Sequence, residues 1–203
     1  MKKLFILPLF LGLITAGIAC NKADNQSASD SATAQTVASE DTQPAKVNLV
    51  KYSDYQCPAC KYFWEFEKQL KEDFGDDIKI VTKHFPLSMH PYAHVASRSV
   101  EAARKQGKYK EMHNKVFEGQ EVWSRGNAEA IFIGYAEELG LDVEMFRQDM
   151  NSAAMNRIVM ADRREGRDLN VNSTPTYFIN GDEIENNPGT YPAFKALVEQ
   201  YMD

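Results

Sequence analysis

The stretch Cys57-Pro58-Ala59-Cys60 lies between an apolar run, Val47 to Tyr52, and a long amphipathic segment, Lys61 to Phe74. A C-x-x-C between a strand and a helix reads as a dithiol that closes to a disulfide and reopens. Helix N-terminal N–H groups and the macrodipole stabilise a nearby anion. A thiolate there has a lowered pKa, and the thiolate is the species that attacks disulfides. Pro58 suits the first helical turn, where a missing N–H costs nothing. Cys57 is therefore expected to be the exposed attacking sulfur, and Cys60, one turn inside, the shielded resolving sulfur. The competing use of a C-x-x-C is half of a structural zinc site, which needs four ligands. Cys20 is the only other cysteine, and Pro91 makes His90 and His94 read as a helix start and a surface position. The dithiol reading is preferred, and no metal is expected.

Outward from the dithiol, Val47 to Tyr52 is apolar on both faces, as in a covered parallel strand. Phe63, Phe66, Leu70 and Phe74 recur at three- and four-residue steps, one apolar stripe on a helix stopped by Gly75. Ile78 to Phe85 is β-branched and alternating, a second strand. Strand, helix, strand at this spacing is a right-handed βαβ unit. After Pro86 the periodicity is helical: Tyr92–Gln106, Tyr109–Phe117, a helix capped by Asn127 to Leu139, Val143–Met150 capped by Asp142, and Ser152–Asp168. The last carries Arg157, Arg163, Arg164 and Arg167, which read as a solvated face. Thr176 to Ile179 and Asp182 to Ile184 flank Asn180-Gly181, the strongest short hairpin signal. Tyr191 to Met202 closes the chain as a helix.

The N-terminus reads as export signal and tether. Lys2 and Lys3 precede an apolar stretch, Leu4 to Ala19, of about 16 residues, short of the roughly 20 that span a membrane. Small residues before Cys20 resemble a bacterial lipoprotein cleavage site, with Cys20 as the lipidated residue. Gly17 departs from the usual Leu and also fits ordinary signal cleavage, which would leave Cys20 a free thiol. Asn21 to Lys46 is rich in Ser, Ala, Asp, Gln and Thr and has no aromatic residue, so it is expected to be a disordered tether. As a flexible coil it would span roughly 25–30 Å. The domains are thus 1–20 signal, 21–46 tether and 47–203 folded, with a helical insert at about 87–170. A formal net charge of −6 and the lack of a basic stripe argue against nucleic acid as a partner.

Several separate stretches carry a family resemblance. They are Cys57-Pro58-Ala59-Cys60, Phe85-Pro86-Leu87, His90-Pro91, Gln106-Gly107-Lys108-Tyr109 and Ser173-Thr174-Pro175-Thr176-Tyr177-Phe178-Ile179-Asn180-Gly181. Together they resemble the DsbA-like branch of the thioredoxin fold, an α/β fold in which a helical insert separates βαβ and ββα halves. The resemblance implies a cis Pro175 facing the dithiol, with the Thr174 backbone free to pair with a substrate strand. Two residues depart from the pattern. Ala59 stands where DsbA carries a histidine, which implies a less acidic Cys57 and a less oxidising couple. Lys51 stands six residues before Cys57, where relatives carry an acid thought to relay the resolving cysteine's proton. A charged Lys51 would favour thiolates, an amine with a pKa lowered by burial could relay the proton, and a Lys51 that snorkels to water would be a bystander.

The resemblance implies an exported thiol–disulfide oxidoreductase, acting as an oxidase, with Cys57 and Cys60 catalytic and Thr174 and Pro175 binding substrate. Lys51, Pro58 and Ala59 would tune the couple. Its expected partners are exported cysteine-containing proteins and a membrane redox protein that recycles the dithiol. It would be a monomer in the periplasm or cell envelope, held to a membrane by lipid on Cys20, and would need no cofactor. The competing functions are a disulfide reductase or isomerase, towards which Thr174 before Pro175 leans, and a tethered peptide-binding chaperone.

Overall fold

The computed structural model describes residues 44–202. The signal, most of the tether and Cys20 lie outside the described residues. A four-stranded sheet has the order β2-β1-β3-β4. Strand β1 (Val47–Ser53) is parallel to β2 (Ile78–His84) and antiparallel to β3 (Thr176–Ile179), which pairs with the two-residue β4 (Asp182–Glu183).

Residues two apart on a strand share a face. Val47, Leu49, Lys51 and Ser53 of β1 are all fully buried on one face. Val47 and Leu49 pack there with Phe63, Phe66 and Leu70 of α1 (Pro58–Phe74) and with Phe194 and Val198 of α8 (Tyr191–Glu199). Each such side chain, once buried, contributes about 1.5–3 kcal/mol. The opposite face carries Tyr52, in a small cluster with Phe85, Val171 and Phe178. Here α7 (Ala153–Asp168) crosses so closely that a Cβ on Gly166 would lie 2.8 Å from both Tyr52 and Phe85.

Between β2 and β3 run α2 (Ala93–Lys105), α3 (Tyr109–Glu118), α4 (Gln120–Trp123), α5 (Ala128–Glu138), α6 (Val143–Met150) and α7. Their own core includes Val100, Phe117, Trp123, Phe132 and Phe146, and Tyr55, Cys57, Cys60 and Trp64 belong to the same cluster. The dithiol therefore sits at the seam between the helical insert and the sheet with α1. A buried His84–Glu101 contact of 2.8 Å, with Arg104 Nε donating to Glu101 at 2.8 Å, pins α2 to the end of β2.

The capping residues behave in two ways. Asp142 and Ser152 accept from the N–H groups of Met145 and Met155. Asn127 instead adopts φ 56°, a left-handed conformation, and makes no side-chain cap. The short α4 has too few residues for a periodic signal, so it was not expected. Arg157, Arg164 and Arg167 are exposed on α7. Among the described residues, no helix is long and apolar enough to cross a membrane.

Candidate active site

The turn from β1 into α1 is organised by Asp54. Its buried carboxylate accepts from Gln56 N at 2.7 Å, Leu87 N at 2.8 Å and His90 Nδ1 at 2.8 Å. Its carbonyl accepts from Cys57 N at 3.1 Å. From the insert, Gln120 Nε2 donates to Tyr55 O at 2.6 Å and Cys57 O at 3.0 Å. Tyr92 N donates to Gln56 Oε1 at 2.7 Å. Two segments distant in sequence, Leu87 to Tyr92 and Gln120, thus fix the backbone that carries the dithiol.

Cys57 is the N-cap of α1, and Pro58 occupies the first turn. Both cysteines are free thiols. Cys57 keeps 8% of its surface and Cys60 none, so the leading sulfur is less open than expected but remains the more accessible one. The Cys57 thiol is lowered to about 5. The largest cause is the Cys60 thiol hydrogen-bonding to it; burial opposes, while Thr174 and the N–H groups of Cys60 and Ala59 add to the lowering. Thr174 Oγ1 makes no aligned hydrogen bond, so the backbone donors carry more weight here than the threonine hydroxyl. Cys60 is pushed well above the usual thiol range, first by burial and then by Cys57, with Lys51 and Ser53 pulling the other way.

The Thr174–Pro175 peptide bond is cis. Thr174 O lies 3.4 Å from Cys57 Sγ, so the loop before β3 faces the dithiol. Asn187 Nδ2 donates to Pro175 O at 2.7 Å and ties that loop to the chain before α8.

Lys51 does not reach water; it is fully buried. Its Nζ lies 2.7 Å from Glu67 Oε1, and the Tyr177 hydroxyl donates to the same carboxylate. The snorkelling alternative fails because Lys51 lies on the α1-facing side of the central strand, opposite Tyr177 in register. Asp54, Glu67 and Gln120 were not singled out in the sequence. Asp54, three residues before Cys57, fits an Asx turn and was findable. Glu67 reads as one more helix-surface charge, and Gln120 is 63 residues from Cys57. His90 is engaged by Asp54, and among the described residues no three His, Cys, Asp or Glu side chains converge on a metal position.

A βαβ–ββα sheet with a cysteine pair at the mouth of its first helix, facing a cis-proline loop, defines a thioredoxin-type fold of the DsbA-like kind with a dithiol site. The chain belongs to the thioredoxin family, whose model, described as thioredoxin, matches residues 42–200. Among solved structures it is similar to oxidised BdbD from Bacillus subtilis, with TM-score 0.69, 22% identity, and coverage of 78% of this chain and 88% of that one. It is also similar to the thiol-disulfide exchange protein alpha-DsbA2 from Wolbachia pipientis, with TM-score 0.66, 20% identity, and coverage of 78% and 83%. A curated relative, Na(+)/H(+) antiporter NhaA 1 from Mycobacterium sp. (strain KMS), is 38% identical over 143 residues. That match takes in 68% of this chain but only 22% of the antiporter, so the chain spans about a fifth of that relative's length.

Proposed function

We propose that this chain is a thiol–disulfide oxidoreductase, an exported, membrane-tethered dithiol oxidase of protein substrates. The observation that carries the reading is Cys57 at the N-cap of α1, where the Cys60 thiol and the Cys60 and Ala59 N–H groups hold its thiol down to about 5. A thiolate stabilised in this way favours the reduced enzyme, and a couple whose reduced form is stabilised is an oxidant.

In the reaction, a substrate thiolate attacks Cys57 of the Cys57–Cys60 disulfide. The bond between the two cysteines breaks and its electron pair goes to Cys60. A second substrate thiolate then attacks the substrate sulfur of the mixed disulfide, which leaves an oxidised substrate and a reduced enzyme. Thr174 and Pro175 would receive the substrate as an added strand. Exposed Met89, beside His90, and exposed Val122, two residues after Gln120, offer apolar surface to an unfolded chain. Lys51, Pro58 and Ala59 would tune the couple. A membrane redox protein would restore the disulfide, and lipid on Cys20 would keep the domain close to it. Antiport is no part of the proposal, because the match covers only a small share of the antiporter.

The test is the resting redox state in the exporting cell, trapped by acid quench and maleimide tagging. A mostly disulfide Cys57–Cys60 supports the oxidase. A mostly dithiol population assigns a reductase or isomerase instead. Full cellular activity of a Cys57→Ala, Cys60→Ala double variant would move the protein to the chaperone reading.

A further inference from the structure

One buried hydroxyl at the site has no assigned task. Ser53 ends β1, is fully buried, and its Oγ meets no hydrogen-bond partner among the described residues. Buried polar atoms are nearly always paired, and an orphan needs an explanation. Its position supplies one. Ser53 shares the α1-facing side of β1 with Lys51, two residues away. The N–H of the next residue, Asp54, points at Cys60 Sγ from 3.5 Å. The Cys60 sulfur, itself without solvent exposure, therefore lies against the end of β1. The Ser53 hydroxyl is near enough to favour a Cys60 thiolate, alongside the Lys51 charge, although it is not aligned on the resting thiol.

We propose that Ser53 is a catalytic residue whose hydroxyl donates to the Cys60 sulfur while that sulfur carries negative charge. The inference rests on the dithiol exchange proposed above and adds the group that serves the leaving sulfur. When a substrate thiolate attacks Cys57, one S–S bond forms as the Cys57–Cys60 bond breaks. The electron pair of the broken bond stays on Cys60, which is thereby reduced to a thiolate. Asp54 N–H and Ser53 O–H then both donate to it until it takes up the proton released when the second substrate thiol ionises to attack the mixed disulfide.

The hydroxyl acts on the barrier and not on the end states. In the disulfide, Cys60 has no charge. In the resting dithiol, burial keeps Cys60 protonated and Cys57 carries the charge. Only between these states does Ser53 meet an anion, so its hydrogen bond stabilises the transition state selectively. Removing it must slow opening and closing by the same factor and leave their ratio alone.

The experiment compares Ser53→Ala with the parent chain, using reduced and oxidised glutathione as the probe. Stopped-flow fluorescence gives the rates of disulfide opening and closing, and equilibration gives the constant. Both rates of Ser53→Ala are expected to fall about tenfold, with the equilibrium constant unchanged, the size of one hydrogen bond to a charged group. Ser53→Thr, which keeps the hydroxyl, should restore both rates to within about threefold of the parent. Unchanged rates in a folded Ser53→Ala overturn the inference, as does a shifted equilibrium with unequal rate changes, which marks a structural role. If Ser53→Ala does not fold, Ser53→Gly replaces it and is read in the same way. Failure of the parent chain to exchange with glutathione removes the dithiol reading itself, a result distinct from parent and variant behaving alike.

Discussion

Lys51 Nζ sits 2.7 Å from Glu67 Oε1 and 2.8 Å from Oε2, an ion pair with no solvent on the amine and almost none on the carboxylate. The Phe117 ring closes one side, 5.0 Å from the ammonium. Burying two charges costs about as much as their attraction returns, so the pair itself is weak evidence for stability. Breaking it is another matter, because either survivor is then a buried, uncompensated charge.

Lys51→Met and Glu67→Gln should therefore each cost about 3–5 kcal/mol, read as a shift in the urea midpoint at constant slope. The double variant should recover most of that loss, since no lone charge remains. A double variant as unstable as the sum of the singles would show that the two residues do not act as a pair. Lys51→Met also removes a positive charge near Cys60, so its Cys57 thiolate absorbance curve should move; an unmoved curve takes Lys51 out of the redox chemistry.

The pH dependence follows from Cys57. Its folded value, about 5, lies below that of an unfolded cysteine. A depressed acid stabilises the fold above its unfolded pKa, near about 8.5, and loses that stabilisation as pH falls through the folded value. The reduced protein should thus lose stability relative to the oxidised form between about pH 8.5 and 5. Two urea series across that range, one per redox state, give the comparison. Alkylation of Cys57 by iodoacetamide should have its midpoint near the same lower limit, and a midpoint near the ordinary thiol value would contradict the helix-mouth account.

Much of this was legible because it is local. The β1–α1–β2 unit follows from apolar periodicity, the dithiol from its spacing, and the hairpin from Asn180-Gly181, where both residues have positive φ (51° and 100°). What escaped was tertiary. The Lys51 carboxylate partner lies on α1, where Glu67 sits among other acidic residues and nothing in its neighbours marks it as buried. Gln120 reaches the dithiol turn from a four-residue helix that no periodicity can announce. Asn127 has the residue type of a cap but turns left-handed, which Asn tolerates better than most side chains.

Gly166 is the tightest packing point between α7 and the sheet. A methyl there would meet Tyr52 and Phe85 ring carbons at 2.8 Å, well inside contact distance. Both rings are nearly buried and hold each other edge to face, 6.2 Å between centroids, so neither has free space to retreat into. Gly166→Ala, although it favours a helix by about 1 kcal/mol, should be net destabilising by about 1–3 kcal/mol from overpacking. Thermal unfolding of the purified domain decides the sign, and a raised midpoint would mean that α7 can slide outward.

Asp54 links the packing to the chemistry. Its carboxylate satisfies two backbone N–H groups and the His90 ring, while its own N–H and C=O engage Cys60 and Cys57. Asp54→Ala leaves all three donors without their acceptor, at about 1–3 kcal/mol each where they stay dry. A total loss of about 3 kcal/mol or more is expected. Asp54→Asn keeps one oxygen but turns an N–H donor towards groups that are themselves donors, so it should recover only part of the loss. Because the same residue positions both sulfurs, each variant should also slow disulfide exchange with glutathione. An Asp54→Ala protein within 1 kcal/mol of the parent and unchanged in exchange rate would mean that Gln120 and the cis-proline loop hold the turn without it.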